Sequence, residues 1–193
     1  LSNGTYMPLD PTWVPFCREL WSSAEQQQNY LPGVPEGSDL CITPVSAPEN
    51  HYVRIKADNR LDADGTLRGT FTLTAEGQSD SNIRRIFTTG FRSEWKNTME
   101  SQLLAISPKA KLLSVDYGKN PKDYQAAPIK ITFRYEIPDY ALKGEKEMFF
   151  RPLVMNNLYN QVRSYLRIDT SLEERKYGFK DGCSRLVELD ETI

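Results

Sequence analysis

Histidine is nearly absent: His51 is the single one in 193 residues. A histidine-built metal centre is therefore excluded, and a Ser–His or Cys–His catalytic pair made within this chain has to use His51 itself. Cysteine is scarce too. Cys17, Cys41 and Cys183 are widely spaced and fit no zinc pattern. Cys17 and Cys41 can bridge if the segment between them folds back, but an odd count leaves at least one thiol unpaired, and packing as small hydrophobes is the favoured reading. No apolar run approaches the ~20 residues of a membrane span. Net charge is only -2, from 24 basic and 26 acidic residues spread along the chain, so a concentrated basic face for nucleic acid or an anionic membrane is missing. No glycine-rich loop precedes a helix, which removes the usual phosphate cradle, and no cofactor is expected. The first twelve positions are polar and proline-bearing and do not read as a secretory leader.

What remains is an ordinary folding composition, with 39% hydrophobic and 26% charged residues, organised in two parts. Residues 1–45 are punctuated by Pro8, Pro11, Pro15, Pro32, Pro35 and Pro44, and only the stretch around Phe16 to Gln27 is compatible with a helix. Trp13, Phe16 and Trp21 lie among those breakers, so their aromatic surface is expected to pack against a neighbouring domain. A linker ends near Pro44–Pro48, and residues 46–193 form the second, β-rich part.

Within that part, Tyr52, Val53, Ile55 and Ala57, the turn Asp62–Gly65, and Leu67, Phe71 and Leu73 predict a β-hairpin. Ser79–Asp80–Ser81 offers a helix cap ahead of Ile83, Ile86 and Phe87. A second helix is expected over 93–107, with Trp95, Met99, Leu103 and Ile106 on one face and Pro108 as its stop. Leu112 to Tyr117 and the strict alternation Ile129, Ile131, Phe133, Tyr135, Ile137 predict two further strands. Lys130, Thr132, Arg134 and Glu136 alternate with the second set, so that strand presents one face to solvent. Residues 139–144 read as a turn, Met148–Val154 as a short strand, and Leu186, Val187 and Leu189 as a closing strand. Residues 155–176 carry no clear pattern. The fold class is α+β and β-rich: a mainly antiparallel, sandwich-like sheet module with about two helices behind an irregular proline-rich segment.

Residues 3–12 carry a more specific signal. A turn at Asn3-Gly4 leads through Tyr6, Met7 and Leu9 to Asp10, held at a strand end by Pro11 and Thr12. This Gly-x-Tyr-x-x-Leu-Asp-Pro-Thr wording resembles the last catalytic segment of transglutaminase-like cysteine enzymes. The phrases LDADGTLRGTFTLTAEG and ITFRYEIPDYALKGEKEMFFRPLV resemble the β-rich domain that follows this core in large Bacteroidetes proteins. The likeness covers nearly the whole chain, and its motifs are phrases rather than chemical constellations. It implies that Asp10 is the aspartate of a Cys-His-Asp triad whose cysteine and histidine lie upstream of Leu1. It further implies a periplasmic or cell-surface parent acting as a protease or acyltransferase. The chain itself would then be inactive, with the upstream catalytic domain of the same polypeptide as its partner and a peptide or protein as the substrate it helps to steer.

Taken alone, Asp10 is an Asp-Pro-Thr turn or cap residue. Asp62-x-Asp64-Gly65 imitates the start of a calcium loop without its later acids, which favours a plain hairpin turn. The set Tyr124, Tyr135, Tyr140, Phe149, Phe150, Tyr159 and Tyr165 reads as core before it reads as a binding face. The competing functional reading is an independent module that recognises a peptide, a glycan or a partner protein through an exposed sheet edge.

Overall fold

Two nine-residue runs of alternating apolar and polar side chains begin the sheet, and a tight turn closes them into a hairpin. A computed structural model describes residues 25–155, 173–174, 176–177 and 184–193. In it a small antiparallel hairpin, β1 (Asn29–Tyr30) and β2 (Cys41–Ile42), leads to a 3-10 turn at Pro48–His51. Strands β3 (Val53–Leu61) and β4 (Leu67–Ala75) follow, then helix α1 (Gly77–Thr88), a 3-10 turn at Arg92–Glu94 and helix α2 (Trp95–Leu104). Strands β5 (Lys111–Asp116) and β6 (Ile129–Ile137), a second small hairpin of β7 (Leu142–Lys143) and β8 (Met148–Phe149), a 3-10 turn at Leu153–Met155 and β9 (Val187–Thr192) complete the order. The main sheet runs β5-β6-β4-β3-β9. Every neighbouring pair in it is antiparallel except β3 and β9, which are parallel. The class is α+β, as the sequence predicts.

Period two decides which face of the sheet is buried. Val53, Ile55 and Ala57 of β3, Leu67, Phe71, Leu73 and Ala75 of β4, and Ile129 to Ile137 at every second position of β6 all point to one side. Ile83 and Phe87 of α1 and Trp95, Met99 and Leu103 of α2 complete the same cluster, so the helices cover that face. Burying each of these large side chains contributes roughly 1.5–3 kcal/mol. Phe71 stacks on Phe133 across the strands at 4.9 Å, and Phe87, Trp95 and Tyr117 meet edge to face at 5.1–5.6 Å. The opposite face is polar, with Thr70, Thr72, Thr74 and Thr132 at its centre and charged residues around them.

The hairpin turn forms as expected. Asp64 Oδ1 accepts the Thr66 N–H at 2.9 Å, Gly65 takes φ +87°, and Asp62 pairs with Arg60 and Arg68. These acids are thus occupied by turn chemistry. Three boundaries differ from the sequence reading. The first helix starts at Gly77 instead of after a cap at Ser79–Ser81, because Gly77 at φ +57° turns the chain into it and Ser79 and Asp80 bind elsewhere. The second helix opens as a 3-10 turn and ends at Leu104, short of Ser107. The strand expected over Met148–Val154 pairs only at Met148 and Phe149. Pro152 lacks an N–H to continue it, and the Leu153 and Val154 amides turn to the Glu191 carboxylate at 2.9 and 3.0 Å.

Candidate functional site

The irregular segment after β2 is stitched down by side chains. Gln26 Oε1 accepts the Ser46 N–H at 3.0 Å, and Pro48 starts the 3-10 turn that carries His51 into the interior. His51 is fully buried against the first turn of α1. Its Nδ1 accepts the backbone N–H of Gln78 at 3.2 Å, and its Nε2 lies 2.7 Å from Ser46 Oγ. The Gln78 amide assigns the tautomer: Nδ1 carries the lone pair, so Nε2 carries the proton and donates it to the serine. Ser79 Oγ in turn donates to the His51 carbonyl at 2.8 Å. Burial, with the positive charge of Arg185 in support, lowers the imidazole from 6.5 to about 4. Gly77 is required beside it, since a Cβ there would run into the Asn50 carbonyl and the His51 ring.

Chemically, this is a neutral wedge that caps a helix. A general base for Ser46 needs a lone pair facing the hydroxyl, and here a proton faces it. Cys41 is half-buried with a free thiol, whose Sγ donates to the Asp39 carbonyl at 3.7 Å. The structure therefore does not bring Cys41 to His51. Asp10, Cys17 and Cys183, the stretch from Phe16 to Ala24, and Tyr159 and Tyr165 lie outside the described residues. Among the described residues, no three His, Cys, Asp or Glu side chains gather as metal ligands, and no helix is long and apolar enough to cross a membrane.

One turn further along α1 lies a charged centre. Arg84 Nε donates to Asp80 Oδ2 at 2.6 Å, while its Nη atoms reach the Pro121 and Ala127 carbonyls at 2.7 and 2.5 Å. Asp80 Oδ1 accepts the Ile129 N–H at 2.6 Å. Burial raises the Asp80 pKa, and Arg84 opposes the shift. The pair clamps α1 to the loop before β6 and leaves no open carboxylate for chemistry.

Exposed apolar side chains lie at the periphery instead. Of the seven aromatics noted in sequence, Tyr135 is core and Tyr140 half-buried, but Phe149 and Phe150 are exposed, beside Leu142 at 75% exposure, on the β7–β8 arm. The alternation of that segment is interrupted by Gly144, Glu145 and Lys146, so its apolar side chains end on an arm rather than in the sheet. The two sheet edges also differ. A bulge between Leu112 and Ser114 interrupts β5, whereas β9 stays in register with β3 over all six residues. Val53 N–H donates to the Leu186 carbonyl at 2.8 Å, so by alternation the backbone groups of Val187, Leu189 and Glu191 point away from the sheet. The closing strand was legible in sequence, but its parallel place beside β3 depends on a partner 134 residues earlier. His51 was visible only as a lone histidine; its role depends on Gln78, which no local pattern links to it. Comparison of the chain with protein-family models, with curated proteins and with solved structures finds no match in any of the three.

Proposed function

We propose that this chain is a non-catalytic accessory module of a transglutaminase-like or cysteine-protease-like multidomain protein, supporting an upstream Cys-His-Asp core and steering polypeptide substrate to it. The observation that carries the non-catalytic half is the state of His51. The sole histidine is buried, its lone pair is taken by a backbone amide and its proton is given to Ser46. The Leu-Asp-Pro-Thr wording around Asp10 supports the link to a triad core, with Asp10 as the group that orients the histidine of that core. Periplasmic or cell-surface placement belongs to the same proposal.

Activity measured in two contexts tests it. The 193-residue chain should neither hydrolyse casein nor couple an amine to a glutaminyl peptide. A longer product that includes the upstream residues should do one of these, and Asp10→Asn should lower its kcat by orders of magnitude while leaving folding intact. Activity in the 193-residue chain that disappears with Cys17→Ala or His51→Gln would overturn the reading. A second reading, an independent binding module, is favoured by one feature: the outward-facing backbone of β9.

A further inference from the structure

Strand β9 has three properties that together specify a ligand. Its outer edge carries the N–H and C=O groups of Val187, Leu189 and Glu191, and among the described residues its pairing in the main sheet is to β3 alone. Its helix-side face is apolar and incompletely covered: Val187 is half-buried, and Leu189 remains 38% exposed although its register partner Ile55 is buried. Its open face is acidic, with Glu188 and Asp190 at the rim. Glu188 pairs with Arg54, and Asp190, which faces Lys56 in the register, makes no ion pair among the described residues.

We propose that β9 is a strand-addition site for an extended polypeptide segment in which apolar and basic residues alternate. The backbone of such a segment continues the ladder past Val187, Leu189 and Glu191. Its apolar side chains extend the lane of Val187 and Leu189, and its basic side chains lie beside Glu188 and Asp190. Charge decides against the other occupants. A second copy of β9 would set Glu188 and Asp190 against their own kind, and an acidic segment would meet the same repulsion. The opposite edge does not compete, since the bulge at Leu113 breaks the run of backbone groups that an added strand needs. Nothing further is asked of Glu191, whose carboxylate is already held by Asn59 Nδ2 at 2.7 Å and by two backbone amides. The inference deepens the binding-module reading and rests on it.

The test titrates the full chain with a fluorescent, end-blocked heptapeptide, Lys-Val-Lys-Val-Lys-Val-Lys. A Glu-Val counterpart and two N-methylated forms blocked on opposite backbone edges accompany it. Anisotropy and amide NMR shifts are read. Saturable binding of the Lys-Val peptide is expected, with shifts at Val187, Leu189 and Glu191. N-methylation on one edge should weaken it at least ~10-fold while the other edge tolerates it, and Asp190→Lys should weaken it by about as much. Binding of the Glu-Val peptide alone would overturn the basic chemistry while leaving a binding module in place. Insensitivity to N-methylation would overturn strand addition. A peptide-free dimer that protects the Leu189 amide would assign the edge to a second copy. If neither peptide binds, the edge proposal falls, and a screen of glycans and helical peptides that also fails takes the binding-module reading with it.

Discussion

Two buried polar centres grip the first half of α1, and they handle charge in opposite ways. At Asp80–Arg84 both groups are almost completely buried and are read as an ion pair, sustained by two backbone carbonyls and one amide around it. At His51–Ser46 burial suppresses the charge, and the imidazole works as a neutral donor and acceptor. A buried charge is tolerated where partners of opposite sign surround it, and His51, buried with the like charge of Arg185 nearby, becomes neutral. Neither centre is poised to exchange a proton with a substrate, which is why both read as structural.

Removing one member of the charged centre should break the comparison most severely. Arg84→Met leaves Asp80 buried without its cation and frees the Pro121 and Ala127 carbonyls, at a cost of about 3–5 kcal/mol in denaturant unfolding. Lysine at this position should recover only part of the loss, since it lacks the planar fork that reaches three acceptors.

The neutral centre should cost less and answer to pH. His51→Gln disturbs the Ser46 and Gln78 contacts for about 1–2 kcal/mol. In the native protein the folded-state pKa of about 4 lies below the unfolded 6.5, so the unfolded chain binds the proton first as pH falls. The contribution is complete above pH 6.5 and is lost on descending towards pH 4, by up to about 3 kcal/mol. Unfolding midpoints measured across this window should decline, and the decline should flatten in His51→Gln. Equal slopes in the two proteins would assign the decline to carboxylates.

An exposed pair sharpens the contrast at the small end. Lys109 and Asp139 meet at 2.5 Å on the surface, with more than half of each side chain in solvent. Lys109→Ala should change stability by no more than about 0.5 kcal/mol and should do so less at high salt. The expected consequences thus differ roughly tenfold between an exposed ion pair and a buried one that also binds two backbone carbonyls.

How much of this was readable from the chain follows the range of the interactions. β6 appears at the residues its alternation marks, and α2 buries Trp95, Met99 and Leu103 at the spacing the sequence shows, because both patterns are local. Ser79 and Asp80 looked like a cap because their side-chain chemistry suits one. Their partners, the His51 carbonyl and the Ile129 amide, lie 28 and 49 positions away and redirect them. The closing strand was legible from Leu186, Val187 and Leu189, but which strand it would join was not, since register across the sheet is set by packing. Of the candidate site, Asp10 rests on its wording and lies outside the described residues.

The parallel β3–β9 ladder also governs the order in which this module can assemble. Local hairpins such as β3–β4 close over short loops, whereas Arg54 must wait for Glu188 across 134 residues. That separation raises the contact order and places the last ladder late in folding. Until β9 arrives, Asn59 and the Leu153 and Val154 amides lack the Glu191 carboxylate that binds them. During synthesis β3 is therefore the exposed edge, with its own backbone groups unpaired, for as long as the chain between them is being made. The strand proposed to receive a ligand in the finished protein is the one that first shields β3 from receiving a wrong one.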